Sequence, residues 1–143
     1  MTSLNETLKD GVHHYGLRVY YEDTDALGMV YYANYLKYAE RARTEMMRLL
    51  GFATICRDNN AGFAVRRCEV DYLLPARLDD ELDVVTGLIA IGGASLELEQ
   101  TVRRDEAELV RMVVRLAMVS HSGGPMRLPG DFRAALKPYL LST

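Results

Sequence analysis

Two stretches between Ser95 and Ser120 alternate apolar and polar residues, and with the strands beside them they commit most of the chain to a β-sheet with one apolar face. Successive strand side chains point to opposite faces. In Ser95 to Arg104, Leu96, Leu98 and Val102 therefore face one way, and Glu97, Glu99 and Arg103 the other. In Leu109 to Ser120, Val110, Met112, Val114, Leu116 and Met118 share a face opposite Arg111 and Arg115. Glu81 to Ile91 is a third strand, entered through Arg77–Leu78–Asp79–Asp80 and left through the tight Gly92–Gly93 connection. Phe63 to Leu74 alternates more loosely and stops at Pro75, and Leu17 to Tyr21 is a short strand.

Only one segment carries a long helical period. From about Tyr31 or Asn34, the residues Tyr35, Ala39, Ala42, Met46 and Leu49 recur at spacings of four and three, which makes one apolar stripe. Arg41 and Glu45 are spaced to pair on the surface, and Gly51 supplies the stop. Pro129 to Leu140 reads as a short closing helix. The order is strand, long helix, then four long strands in a meander, which is an α+β architecture. One helix covers one sheet face. The other face must be polar or covered by a second subunit, and the sheet edges need a mate, so an oligomer is expected.

The chain has 143 residues, enough for one domain with its own core. Residues 1–15 read as a loose arm bearing a solvated His13–His14 pair, and 129–143 as a C-terminal extension. The apolar share of 49% and charged share of 26% are those of a globular protein. A net charge of −3 gives no basic field for nucleic acid, so no nucleic-acid partner is expected. Cys56 and Cys68 with three histidines do not make a zinc framework, although one disulfide between them stays open. The N-terminal residues lack the cationic and apolar pattern of a signal peptide, and Arg111 and Arg115 interrupt the most apolar stretch. A cytoplasmic location is expected.

Chemistry concentrates between Tyr20 and Arg48. Glu22, Asp23 and Asp25 crowd the loop before the long helix, and Gly28 allows a sharp turn there. A helix start has backbone N–H groups without acceptors and favours negative charge. A loop carboxylate and those donors can flank a carbonyl group: the donors polarise its oxygen, and the carboxylate attacks the carbon or activates a water. That arrangement suits a thioester, whose thiolate leaves readily. The same acids also fit a plainer role in capping the helix, and an Asp-x-Asp pair can hold a divalent cation beside phosphate. The Gly-rich loops that accompany nucleotide sites are absent from the sequence.

The run Val19-Tyr20-Tyr21-Glu22-Asp23-Thr24-Asp25, then Gly28, Val30-Tyr31, Asn34-Tyr35 and Glu40-Arg41-Ala42-Arg43-Thr44-Glu45, resembles the signature of hotdog-fold thioesterases. These are of the 4-hydroxybenzoyl-CoA thioesterase type, and the nearest likeness is to the Tol–Pal-associated YbgC group. Val70-Asp71-Tyr72 and Pro75-Ala76-Arg77-Leu78-Asp79-Asp80 extend the resemblance, which spans about residues 16–135. It implies a five-stranded antiparallel sheet wrapped around the long helix. It implies edge-to-edge dimers, often paired into tetramers, with the active site at the subunit interface. It also implies acyl-CoA hydrolysis without metal or organic cofactor.

On the resemblance, Asp25 is the catalytic carboxylate, as nucleophile or general base, and the Tyr32 backbone N–H polarises the thioester oxygen. Gly28, Val30, Phe63, Arg66, Arg67 and Ser95 are the implied substrate-binding residues, with Phe63 bounding the acyl pocket. Arg66, Arg67, Arg103 and Arg104 are candidates for the nucleotide phosphates. Two departures stand out: many YbgC-type relatives carry histidine at Tyr32, and often a basic residue within Gly92–Gly93–Ala94–Ser95. Glu40 reads as a helix-surface partner of Arg43, and His121 has no partners for a triad. A hydratase needs a histidine–acid pair, and no histidine lies between residues 15 and 120. The remaining alternative is a non-catalytic module that binds acyl carrier protein or lipid-synthesis enzymes.

Overall fold

The computed structural model of the chain describes residues 7–9 and 11–141. In chain order the elements are β1 (Thr7–Lys9), β2 (Val12–Arg18), α1 (Asn34–Leu49), α2 (Phe52–Asn59), β3 (Ala61–Tyr72), β4 (Glu81–Ile91), β5 (Ser95–Arg104), β6 (Ala107–Ser120) and α3 (Gly130–Leu136). A single 3₁₀ turn, Tyr21–Asp23, lies between β2 and α1, and another, Lys137–Tyr139, follows α3. The strands form one antiparallel sheet in the order β1-β2-β4-β5-β6-β3. The sheet has five long strands and the short edge strand β1, and α1 packs on it across β2, β4 and β5, the expected α+β layout.

The inward stripe is as the alternation predicts. Leu96, Leu98 and Val102 of β5 and Val110, Met112, Val114, Leu116 and Met118 of β6 are buried against Tyr35, Tyr38, Ala39, Ala42 and Met46 of α1. Gln100 is the polar member of that stripe and is fully buried. Its amide donates to the Ala39 carbonyl and to Thr86 Oγ1, both at 3.0 Å, and its oxygen accepts from Arg43 Nη1 at 2.8 Å. One network thus ties the helix to β4 and β5. The outer face is polar over β5 and β6: Arg111 meets Glu108 at 2.9 Å and Glu99 at 4.0 Å. That face needs no cover. The unmated surface is the β3 edge, where residues 65–69 are exposed.

Several expectations are corrected. The four long strands do not run as a meander: β4, β5 and β6 do, but β3 pairs with β6 at the far edge. The reason is α1, which carries the chain across the sheet from β2 before β3 forms. Val12 to Tyr15 are strand and not loose arm; His13 pairs with Thr86 and is fully buried, while His14 Nδ1 meets Asp83 at 2.8 Å. Residues 1–6 and 10 lie outside the described residues. Gly51 does stop α1, in a left-handed conformation with φ 72°, but a second helix, α2, follows at once. Leu49 is exposed, because the last turn of α1 passes beyond the apolar face. Glu45 pairs with Arg48 rather than Arg41, whose guanidinium lies 6.0 Å from the Tyr38 ring centre. Arg43 turns inward to Gln100 and not to Glu40. Cys56 and Cys68 are free thiols. Among the described residues no helix is long and apolar enough to cross a membrane.

Candidate active site

The loop from Val19 to Ala33 is held against the β3–β4 connection mainly by main-chain hydrogen bonds. Val19 N–H donates to Asp80 O at 2.9 Å and Asp79 N–H to Val19 O at 3.0 Å. Val30 N–H donates to Ala76 O at 2.9 Å and Leu78 N–H to Gly28 O at 3.2 Å. Gly28 takes φ 77°, a region that side chains with a Cβ disfavour. Arg104 secures the other wall of this seam. Its Nη1 donates to the Asp80 carboxylate at 2.8 Å and to Pro75 O at 3.2 Å, so it is a strut of the turn and not a free phosphate ligand.

The loop carboxylates differ in their surroundings. Asp23 is buried, and both its oxygens are engaged: Oδ2 accepts from Tyr20 N–H at 2.9 Å and Oδ1 from Asn34 Nδ2 at 3.0 Å. Its carbonyl also accepts from Tyr31 N–H at 2.9 Å. Burial first, and then the Asp23 carboxylate, push the Tyr38 phenol well above the usual tyrosine range, although that hydroxyl has no partner in good hydrogen-bond geometry among the described residues. Asp25 is exposed. Its Oδ1 accepts from Leu27 N–H at 2.8 Å and, more weakly, from Met29 N–H at 3.3 Å, while Oδ2 is free of partners among the described residues. The carboxylate is oriented by the turn that it closes, with one oxygen left to react.

The start of α1 has no side-chain cap, because Ala33 occupies that position. Asn34 N–H donates to Tyr31 O at 2.8 Å, but among the described residues the amides of Tyr32 and Ala33 have no acceptor. Asp25, Val30 and Tyr32 line one cavity of about 310 Å³, walled by Tyr35, Tyr72 and Leu73 to Pro75. It brings together the Asp25 carboxylate, Tyr32 with its unpaired amide, and an apolar, aromatic wall.

The other sequence candidates lie elsewhere in the single chain. Gly28 shapes the turn behind Asp25. Phe63 lines a second cavity of about 320 Å³ between α1, α2 and β3, where it stacks on Phe52 with ring centres 4.6 Å apart. Glu40 and Arg43 line that cavity too. Burial lowers the pKa of the Arg43 guanidinium. Arg66 and Arg67 are exposed on the β3 edge, with Arg67 3.2 Å from Glu69. Arg103 meets Glu108 at 3.4 Å, and His121 is exposed. Ser95 opposes Ala117 on β6, whereas Tyr72 of the Asp25 cavity opposes Val110. Seven residues of strand separate those positions, about 23 Å at 3.3 Å per residue. Sequence reasoning missed Tyr35 and Tyr72 as cavity walls, although the Asn34-Tyr35 and Val70-Asp71-Tyr72 motifs contain them.

Residues 19–136 match the model of the thioesterase-like superfamily. The acyl-CoA thioesterase YbgC of Haemophilus influenzae is 39% identical over 129 residues, spanning 88% of this chain and 95% of that protein. The acyl-CoA thioester hydrolase YbgC of Escherichia coli O157:H7 is 44% identical over 95 residues, 66% of this chain and 71% of that protein. Among solved structures, a probable thioesterase from Bartonella henselae superposes with a TM-score of 0.78 at 36% identity, covering 82% of this chain and 99% of that one. A thioesterase from Thermus thermophilus, solved with coenzyme A and zinc, gives a TM-score of 0.78 at 29% identity, covering 89% and 92%. Matched across most of its length in both sequence and fold, the chain belongs to the thioesterase-like superfamily of hotdog proteins.

Proposed function

We propose that this protein is an acyl-CoA thioesterase that hydrolyses its substrate to a free acid and coenzyme A. The observation that carries the reading is the cavity shared by Asp25 and Tyr32. A carboxylate with one oxygen held and one free stands there with backbone amides that have no acceptor. A thioester carbonyl between them has its oxygen polarised by the Tyr32 N–H at the open end of α1. The free Asp25 oxygen then attacks the carbonyl carbon, or takes a proton from a water that does so. Either route develops negative charge on the same oxygen and expels the thiolate of coenzyme A; on the nucleophilic route water then hydrolyses the acyl–Asp25 anhydride to the free acid and restores the carboxylate. The reaction needs no metal or organic cofactor.

The active form is a homo-oligomer, a dimer joined through the exposed β3 edge or a tetramer of two such dimers. Phe63, Arg66, Arg67 and Ser95 do not reach the Asp25 cavity of their own chain. In this reading they serve the site of the partner across the edge, Phe63 against the acyl group and the arginines against the nucleotide, while Gly28 and Val30 shape the local pocket. The protein acts in the cytoplasm, and an acyl carrier protein or lipid-synthesis enzyme is its proposed partner.

Thiol release from short, long and aromatic acyl-CoAs tests the reading. Wild type turns over at least one class, and Asp25→Asn loses about 10²-fold or more of kcat, the scale for removing a group that acts on the transition state. An unchanged rate in Asp25→Asn would end the mechanism. A wild type inert across the panel leaves the carrier-binding module instead. Rapid-quench mass spectrometry during turnover separates the routes, because only nucleophilic attack passes through an acylated Asp25.

A further inference from the structure

We infer that Tyr72 is a positioning residue, whose hydroxyl and ring fix the peptide group at the open end of α1. The Tyr72 hydroxyl donates to the Tyr32 carbonyl at 3.2 Å, long for an O–H···O bond. That carbonyl belongs to the peptide unit of the Ala33 N–H, the unit next after that of the Tyr32 N–H proposed to polarise the thioester, and neither amide has an acceptor among the described residues. A hydrogen bond accepted at the oxygen holds the plane of the peptide and polarises its N–H. The ring adds a second constraint, edge-on to Tyr32 with centres 6.1 Å apart and tilted against Tyr35 at 5.8 Å. Tyr35 in turn accepts from Ala76 N–H at 2.9 Å. With Ala33 at the cap position, no side chain from the helix's own start performs this task. Burial raises the pKa of the Tyr72 phenol, which keeps it protonated and able to donate.

The inference rests on the proposed thioesterase activity but is separable from it. Tyr72→Phe removes the hydroxyl and keeps the ring, while Tyr72→Leu removes both. For Tyr72→Phe, kcat on the best acyl-CoA falls about three- to tenfold, the worth of one modest hydrogen bond, with KM within about twofold. The NMR order parameters of the Tyr32 and Ala33 amides fall, while Tm and the order parameters in β4–β6 stay at wild-type values. Tyr72→Leu lowers kcat further and also raises KM. A Tyr72→Phe kcat within twofold of wild type overturns the inference, as do unchanged order parameters at those amides. If wild type hydrolyses no acyl-CoA, the thioesterase proposal fails, and the order parameters alone decide the role of Tyr72.

Discussion

Asp23 and Asp25 stand two positions apart, yet one carboxylate is buried with both oxygens bonded and the other is exposed with one oxygen free. Substitution should separate their roles. An asparagine at position 25 still offers a carbonyl oxygen to the Leu27 and Met29 amides, so Asp25→Asn removes the chemistry and keeps the turn. Asp25→Ala removes both, and is expected to lower stability by about 1 kcal/mol as well, read from the urea midpoint. Asp23→Ala strands the Tyr20 amide and the Asn34 side chain. It should cost about 1–3 kcal/mol of stability and lower kcat by shifting the start of α1. The sequence alone makes Glu22, Asp23 and Asp25 equivalent acids before a helix. The resemblance singles out Asp25, but the engagement of Asp23 depends on Asn34, eleven residues away, which no local pattern encodes.

At the scale of elements, β4 and β5 were legible to their end residues, because glycine and acidic turns bracket them and β5 alternates over most of its length. Strand β2 was not. Its Val-His-His-Tyr-Gly run carries no apolar alternation, and it is a strand because β4 pairs with it. Helix α2 was missed because eight residues give too short a period, and none of them is fully buried. The β2 assignment has a measurable consequence at His13. Burial, with a smaller contribution from His14, lowers its pKa to about 4 against the opposing pull of Glu45 and Asp83. The neutral ring fits the fold, whereas the unfolded chain takes up a proton near pH 6.5. Stability should therefore be full above pH 6.5, decline as pH falls towards 4, and lose no more from this group below that. The loss is up to roughly 3 kcal/mol. Urea titrations between pH 7 and 4 check it, and His13→Leu should flatten the slope over that window.

At the scale of the molecule, the exposed β3 edge is the feature that one chain leaves incomplete. An unpaired strand of twelve residues is a template for another strand unless charge or irregularity blunts it. Here a register shift between Val65 and Arg67 interrupts the pairing with β6, but the outer side stays open. Val65→Lys on this edge is expected to shift the oligomer towards monomer in analytical ultracentrifugation, with activity falling in parallel because Phe63, Arg66 and Arg67 then lose the partner site they are proposed to serve. Individual strands and the polar outer face were readable from alternation. Strand order was not, since it depends on where α1 delivers the chain.

The seam between the Val19–Ala33 loop and the β3–β4 connection is built largely from main-chain groups, and Leu27 projects from it with 73% of its surface exposed. Such a joint tolerates turnover of its outward side chains over evolutionary time, since little of its geometry is written in them. Randomising positions 26 and 27 should therefore yield folded variants at high frequency.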